Sequence, residues 1–143
     1  MSRPAAHAIV VDASVALAWC FSDESSDYAD AVLAALDGRT MIVPTLWALD
    51  ITNALLVGER RKRVTRQDAR RFIELLGGVR TVKHSQPWED TLRHILPLAR
   101  EHNLSAYDTA YLDLAIRQGA PLATLDASLR KSARAAGATL FEK

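Results

Sequence analysis

One cysteine, Cys20, is all the chain contains, so no disulfide can form within it. A reducing, cytoplasmic setting is the expectation that follows. Long apolar runs are missing as well. No stretch approaches the ~20 residues of a membrane-spanning helix, and Met1 to His7 lacks the apolar segment of a secretory signal. The sequence therefore offers nothing for a membrane to hold. Neither sign of charge dominates: 18 Lys and Arg offset 17 Asp and Glu, a formal charge of +1. Such a balance neither demands nor excludes a nucleic-acid partner, because what matters is how the two signs are segregated in space. The 4 histidines have no close His–x₃–His pair, which argues against zinc. No nucleophile elbow surrounds Ser14, which argues against a serine hydrolase. Cys20 lies in an apolar segment and reads as core rather than as a nucleophile. Repeats, low-complexity segments and linkers are absent. What remains is 143 residues with an apolar share of 49%. That is enough for one domain with a real core, spanning 1–143 with a short tail over 1–7.

The pattern along the chain alternates strand with helix. Ala8 to Val11 is a continuous apolar run, too short for a helix and suited to a strand buried on both faces. Ala13 to Phe21 reads as a helix capped by Asp12. Ser26 to Leu36 reads as a second, closed by Gly38. A short strand over Met41 to Val43 ends at Pro44, and Thr45 caps a long helix to about Arg61. Thr65 opens a helix that stops at Gly77 and Gly78. Val79 to Lys83 can form a strand, and Pro87 stands at the start of a helix to about His102. Ser105 to Gln118 is the next helix, ended by Gly119. Leu122 to Leu125 is a strand, Asp126 to Ala135 a helix, and Thr139 to Phe141 a last strand. This alternation predicts an α/β/α sandwich around a central, mainly parallel sheet. In such sheets ligands bind at the carboxyl ends of the strands. Asp12 and Asp126 are predicted on that edge.

Each acid has a plain structural explanation. Asp12 and Asp126 can be helix N-caps. Asp108, three residues after Ser105, can complete a capping box. Asp50 resists such a reading, because it shares a helical stripe with Trp47, Ile51, Ala54 and Leu55. A carboxylate buried there without a partner costs several kcal/mol or takes up a proton. Asp108 has Leu104, Tyr111 and Leu112 as its helical neighbours. Asp113, by contrast, sits between Thr109 and Arg117 and reads as a solvent-facing acid paired with Arg117. Carboxylates gathered in one place repel unless a cation lies among them, and oxygen-only ligands suit Mg²⁺ or Mn²⁺. Ser14 and Thr124 add hydroxyls beside the acids.

The segments "VVDASVALAW", "PTLWALDITNAL", "LSAYDTAYLDLA" and "LATLDASL", in this order, resemble the acidic motifs of the PIN-domain family. More narrowly they resemble the VapC-type toxins of bacterial toxin–antitoxin pairs. The resemblance runs from about Ala8 to Phe141, and its specificity lies in the ordered set. It implies a PIN-like sandwich and a Mg²⁺- or Mn²⁺-dependent endoribonuclease that leaves 5′-phosphate and 3′-hydroxyl ends. The family's first acid falls on Asp12, with the following hydroxyl at Ser14. The third falls on Asp108, and the fourth on Asp126, with Thr124 before it. The second acid is usually glutamate, and here it is Asp50, one methylene shorter. The same resemblance implies a homodimer and a VapB-type antitoxin that covers the site.

Gly58 to Arg71, "GERRKRVTRQDARR", is dense in Lys and Arg, with Glu59 and Asp68 its only acids. It reads either as a solvated face or as a ridge beside the acid pocket, gripping RNA phosphates through Arg60, Arg61, Lys62 and Arg63. Contact with an antitoxin competes for the same residues. Two rival functions compete with this reading. A phosphoaspartyl transferase with Asp12 as nucleophile wants a second Asp at position 14, where serine sits, or paired acids after the first strand with a lysine near the last. Neither pattern is present. A non-catalytic interaction module, whose acids anchor a basic partner peptide, stays open.

Overall fold

The computed structural model describes residues 7–142. The expected N-terminal tail lies, apart from exposed His7, outside them. Four strands, β1 (Ala8–Val11), β2 (Thr40–Pro44), β3 (Thr81–His84) and β4 (Leu122–Ala123), form one sheet in the order β3-β2-β1-β4. Every pairing is parallel: Ile9 stands against Met41, Val10 against Leu122, and Ile42 against Val82. All four strands therefore end on one edge. The chain adds β2 and then β3 on one side of β1, and crosses over to lay β4 on the other. The gap between the ends of β1 and β4 is thus the point where the winding reverses, the usual ligand crevice of an open parallel sheet.

Seven helices cover the sheet: α1 (Ala13–Ala18), α2 (Asp27–Ala35), α3 (Trp47–Arg60), α4 (Arg66–Gly77), α5 (Trp88–His102), α6 (Ala106–Gln118) and α7 (Ala127–Ala135). The side-chain alternation of the strands divides the core. Val10, Ile42 and Leu122 pack with Leu112, Leu114 and Leu129 of α6 and α7. Ile9, Val11, Met41 and Val43 face the other way, onto Val15 of α1 and Ala29 and Val32 of α2. A strand buried on both faces needs helices on both, which gives the expected three layers. A third cluster, Ala16, Ile51, Leu55 and Phe72, joins α1 to the α3–α4 hairpin.

Several boundaries differ from expectation. α1 stops at Ala18 rather than Phe21, and a 3₁₀ turn over Ser22–Glu24 follows. The break lets Phe21 turn inward against Gly58. A Cβ added there would lie 2.6 Å from the Phe21 ring, so only glycine admits the contact. Thr45 does not cap α3; the cap position is Leu46, and no side chain bonds to that end. Thr139 to Phe141 forms a single bridge from Leu140 to Leu122 instead of a strand, since two-residue β4 offers little ladder to extend. Asp113 is not solvent-facing. It is 6% exposed, with its carboxylate accepting from Arg117 Nε at 2.7 Å. The i to i+4 pairing is as expected, but the carboxylate end of it is buried beneath the exposed Arg117.

Candidate active site

β1 is wholly buried, and Asp12 follows it directly, so its carboxylate begins inside the protein. It caps α1 by accepting from Val15 N at 3.2 Å through Oδ1. Capping does not exhaust it. The Ser14 hydroxyl donates to the same oxygen at 2.5 Å, and the Thr124 hydroxyl donates to Oδ2 at 2.5 Å. Both hydroxyls also serve the chain beyond β4: Ser14 Oγ accepts from Leu125 N, and Thr124 Oγ1 from Asp126 N. They clamp the ends of β1 and β4 together with Asp12 between them. Burial raises Asp12 to about 6, against the lowering effect of its three hydrogen bonds, and the charge of Asp108 adds to the rise.

Asp126 caps α7, with Oδ1 accepting from Leu129 N at 2.9 Å, and is exposed. Asp108 lies in the first turn of α6. The capping box expected there is only half formed. Ser105 Oγ accepts from Asp108 N at 3.1 Å, but the carboxylate does not return to the Ser105 N–H. The box of α4, between Thr65 and Asp68, is complete in both directions. The Asp108 carboxylate is thereby left for the crevice. Burial, then the charge of Asp126, and more weakly that of Asp50, raise its pKa against the lowering effect of the Ser105 hydroxyl. Asp50 is half-buried, and burial raises it as well, opposed by one hydrogen bond from the Tyr111 hydroxyl at 3.1 Å. Tyr111 is the residue the sequence reading missed. It is buried on the α6 face that looks at Asp50, and burial with the charges of Asp50, Asp12 and Asp108 holds its phenol protonated, as a donor. Its position one turn after Asp108 carried the signal, hidden because an apolar stripe already explained a tyrosine there.

The four predicted acids thus share one electrostatic neighbourhood, drawn from the ends of β1 and β4 and the first turns of α3 and α6. Among the described residues no three His, Cys, Asp or Glu side chains stand close enough to enclose one ion by themselves. The donor set still fits a hard cation. It is all oxygen, Asp12 and Asp108 are raised first by burial and further by the charge of neighbouring carboxylates, and Mg²⁺ takes only one or two carboxylates and keeps several waters.

The basic segment lies elsewhere. Arg60 ends α3, ten residues from Asp50, which places it about 15 Å along the helix. Arg60, Arg61 and Lys62 are exposed. Arg63 is engaged: it pairs with Asp23 at 3.0 Å and Glu24 at 2.5 Å and lies over the Phe21 ring at 4.5 Å. Its work is to pin the α3–α4 hairpin to the turn after α1. Burial raises the Cys20 thiol, which keeps it a poor nucleophile.

A parallel α/β/α sandwich with carboxylates gathered at its switch point is the arrangement of the PIN domain. The chain belongs to that family, whose pattern it matches over residues 9–135. It is similar to Ribonuclease VapC3 of Pyrobaculum aerophilum, with 31% identity over 122 residues, covering 85% of this chain and 91% of that protein. Among solved structures it is similar to PAE2754 from Pyrobaculum aerophilum, with a TM-score of 0.65 and 25% identity over 89% of this chain and 80% of that one. Among the described residues no helix is long and apolar enough to cross a membrane.

Proposed function

We propose that this PIN-domain protein is a divalent-metal-dependent endoribonuclease and the toxin of a toxin–antitoxin pair. The convergence of Asp12, Asp50, Asp108 and Asp126 at the β1–β4 switch point carries the reading, and the similarity to a VapC ribonuclease supports RNA as the substrate. Asp12, Asp108 and Asp126 would hold Mg²⁺ or Mn²⁺, with Asp50 acting at longer range. When bound, the ion lowers the pKa of a water and offsets charge on the scissile phosphate. The chain's own task is positional. Ser14 and Thr124 fix both oxygens of Asp12, and Tyr111 fixes one oxygen of Asp50. Neither hydroxyl is free to attack phosphorus, which leaves water as the nucleophile and the ribose 3′-oxygen as the leaving group. A cytoplasmic homodimer with a VapB-type antitoxin completes the reading. A basic antitoxin side chain entering the crevice would compete with the cation for the same carboxylates.

The interaction-module reading draws on the acids' spacing, since no three enclose an ion unaided. Cleavage of a fluorescent RNA separates the two. Activity should vanish in EDTA and return with Mg²⁺ or Mn²⁺. Asp12→Asn should abolish it, while Asp30→Asn, on the exposed side of α2, should leave it unchanged. Wild-type cleavage by Asp12→Asn would show that the acid site is not the active site.

A further inference from the structure

We propose that the hollow between α7 and the turn joining α5 to α6 binds a guanine base, splayed out from the RNA strand beside the scissile phosphate. RNA as the source of that base rests on the ribonuclease reading above. The hollow measures about 350 Å³, the small end of ligand-sized cavities and room enough for one purine. Its two walls belong to the elements that carry the acids. On one side Ser128, Lys131 and Ser132 lie at i, i+3 and i+4 along α7. Asp126 caps that helix, so Lys131 stands about 7.5 Å from it along the axis. On the other side are Glu101, His102 and Asn103, at the end of α5. Asn103 comes just before Ser105, the cap of the helix that bears Asp108. The hollow thus lies on the flank of the crevice, between the helices of Asp108 and Asp126, within reach of a neighbouring nucleotide.

The lining selects a base rather than a phosphate. Beside His102, its charged side chains are Lys131 and Glu101, one of each sign. A phosphate entering here would meet the Glu101 carboxylate. A base edge sets donors and acceptors side by side, and unstacked bases bonded on their edges are how sequence is read in single-stranded RNA. Of the four bases, guanine alone presents two adjacent donors, N1–H and the N2 amino group, which one carboxylate can accept together. Its O6 and N7 suit an ammonium. Asn103 holds φ 54° at the α5 cap, a left-handed position that glycine usually takes. Asparagine keeps the turn and adds an amide to the wall. The His102 side chain is 8% exposed, and its Nε2 is buried without a hydrogen-bond partner. That nitrogen stands 3.7 Å from a Glu101 carboxylate oxygen, about 0.8 Å beyond hydrogen-bond length. Buried polar atoms ordinarily find partners. Glu101 drawn inward onto a base would supply one, so the imidazole braces the carboxylate that reads the base.

Nuclear magnetic resonance of the isotope-labelled full chain in EDTA tests the hollow without any cleavage. Guanosine monophosphate should move the His102 ring and Asn103 amide resonances with a dissociation constant on the order of 1 mM. AMP, CMP, UMP and inorganic phosphate should each bind at least about tenfold more weakly, the worth of one bidentate edge. Glu101→Gln, at an exposed position, should lose the response to guanosine monophosphate and keep the rest of the spectrum. With Mn²⁺, a pool of random RNA should be cut with guanine fixed at one position beside the break, and Glu101→Gln should lose that preference. No response to guanosine monophosphate overturns the proposal. So do equal shifts from all four nucleotides or from phosphate alone, and so does a guanine preference that survives Glu101→Gln. A chain that binds guanosine monophosphate here and cuts no RNA would overturn the ribonuclease reading and leave the guanine hollow standing.

Discussion

Replacing Asp12 with Asn should make the protein inactive and, without metal, more stable. Asp12 sits at about 6 in the folded chain against an ordinary 3.8, chiefly because burial opposes its charge. A difference of about two units corresponds to about 3 kcal/mol. Between pH 3.8 and about 6 the folded chain binds more protons than the unfolded one, so the stability contributed by protonated Asp12 is present at low pH and lost as pH rises through that window. Above it the full penalty stands. Asn carries no charge and avoids the penalty. Its oxygen can still accept from Val15 N and Ser14, but its amide must face Thr124 Oγ1, which now has to accept where it donated. That rearrangement costs about 1 kcal/mol. The net gain at pH 7 is about 2 kcal/mol, or about 4–8 °C in melting temperature for a chain of this length. Thermal melts in EDTA from pH 3.5 to 8 would measure it. The two proteins should cross near pH 4 to 5, with Asn ahead above. Mn²⁺ should raise the melting temperature of the wild type and leave Asp12→Asn little changed. If Asp12→Asn melted below the wild type at pH 7 in EDTA, Asp12 would be a structural cap whose charge the fold favours, and the raised pKa would be wrong.

Asp50→Glu should keep cleavage intact and lower the Mn²⁺ concentration for half-maximal rate, because the longer side chain reaches farther toward Asp108; loss of activity would remove Asp50 from the site. Tyr111→Phe takes away the one donor to Asp50 and should reduce cleavage at subsaturating Mn²⁺ by up to about tenfold, a hydrogen bond's worth, with Asp50→Glu partly restoring it. Changing Arg60, Arg61 and Lys62 together to Gln should flatten the salt dependence of RNA binding by about two in log–log slope. Arg63→Gln should hardly move that slope and should instead lower the melting temperature. An unchanged slope in the triple variant would assign the ridge to solvation or to a protein partner. Asp113→Ala should destabilise by about 2 kcal/mol through the stranded Arg117, with the cleavage rate of the folded protein unchanged.

The layer architecture was legible because two periodicities are strong in this chain. The unbroken Ala8–Val11 run demands helices on both faces, and α6 and α7 on one side with α1 and α2 on the other supply them. The parallel sheet then places Asp12 and Asp126 on one edge without further assumption. Asp50 and Asp108 were visible as carboxylates on stripes that should have been apolar. Helix ends were legible where a side chain does the capping, as at Ser26, Thr65 and Ser105. They were not where tertiary packing decides. α1 ends early because Phe21 must reach Gly58, and α3 starts at Trp47, after Leu46 at the cap position, because Trp47 packs into the core, although Thr45 is the better cap by composition.

Asp113 shows what helical spacing leaves out. Its i−4 and i+4 neighbours are polar, so the stripe read as solvent-facing, and the pairing with Arg117 seemed a surface contact. Yet α6 lies over β1 and β2 with α5 and α7 against it, so it is covered on more than one side. The α6 flank that carries Ala106, Ala110 and Arg117 is the floor of the groove beside α5, and Asp113 lies under Arg117 there. Small residues at 106 and 110 were the warning, since a solvent face has no reason to be trimmed to alanine. Tyr111 is the converse case. Its stripe is buried as expected, but a tyrosine on a buried stripe needs a partner for its hydroxyl, and the acid that accepts from it is the one shortened by a methylene. A glutamate at position 50 would be one methylene longer. The aspartate stops beside Tyr111, so the hydroxyl both satisfies the buried phenol and holds the short carboxylate at the crevice.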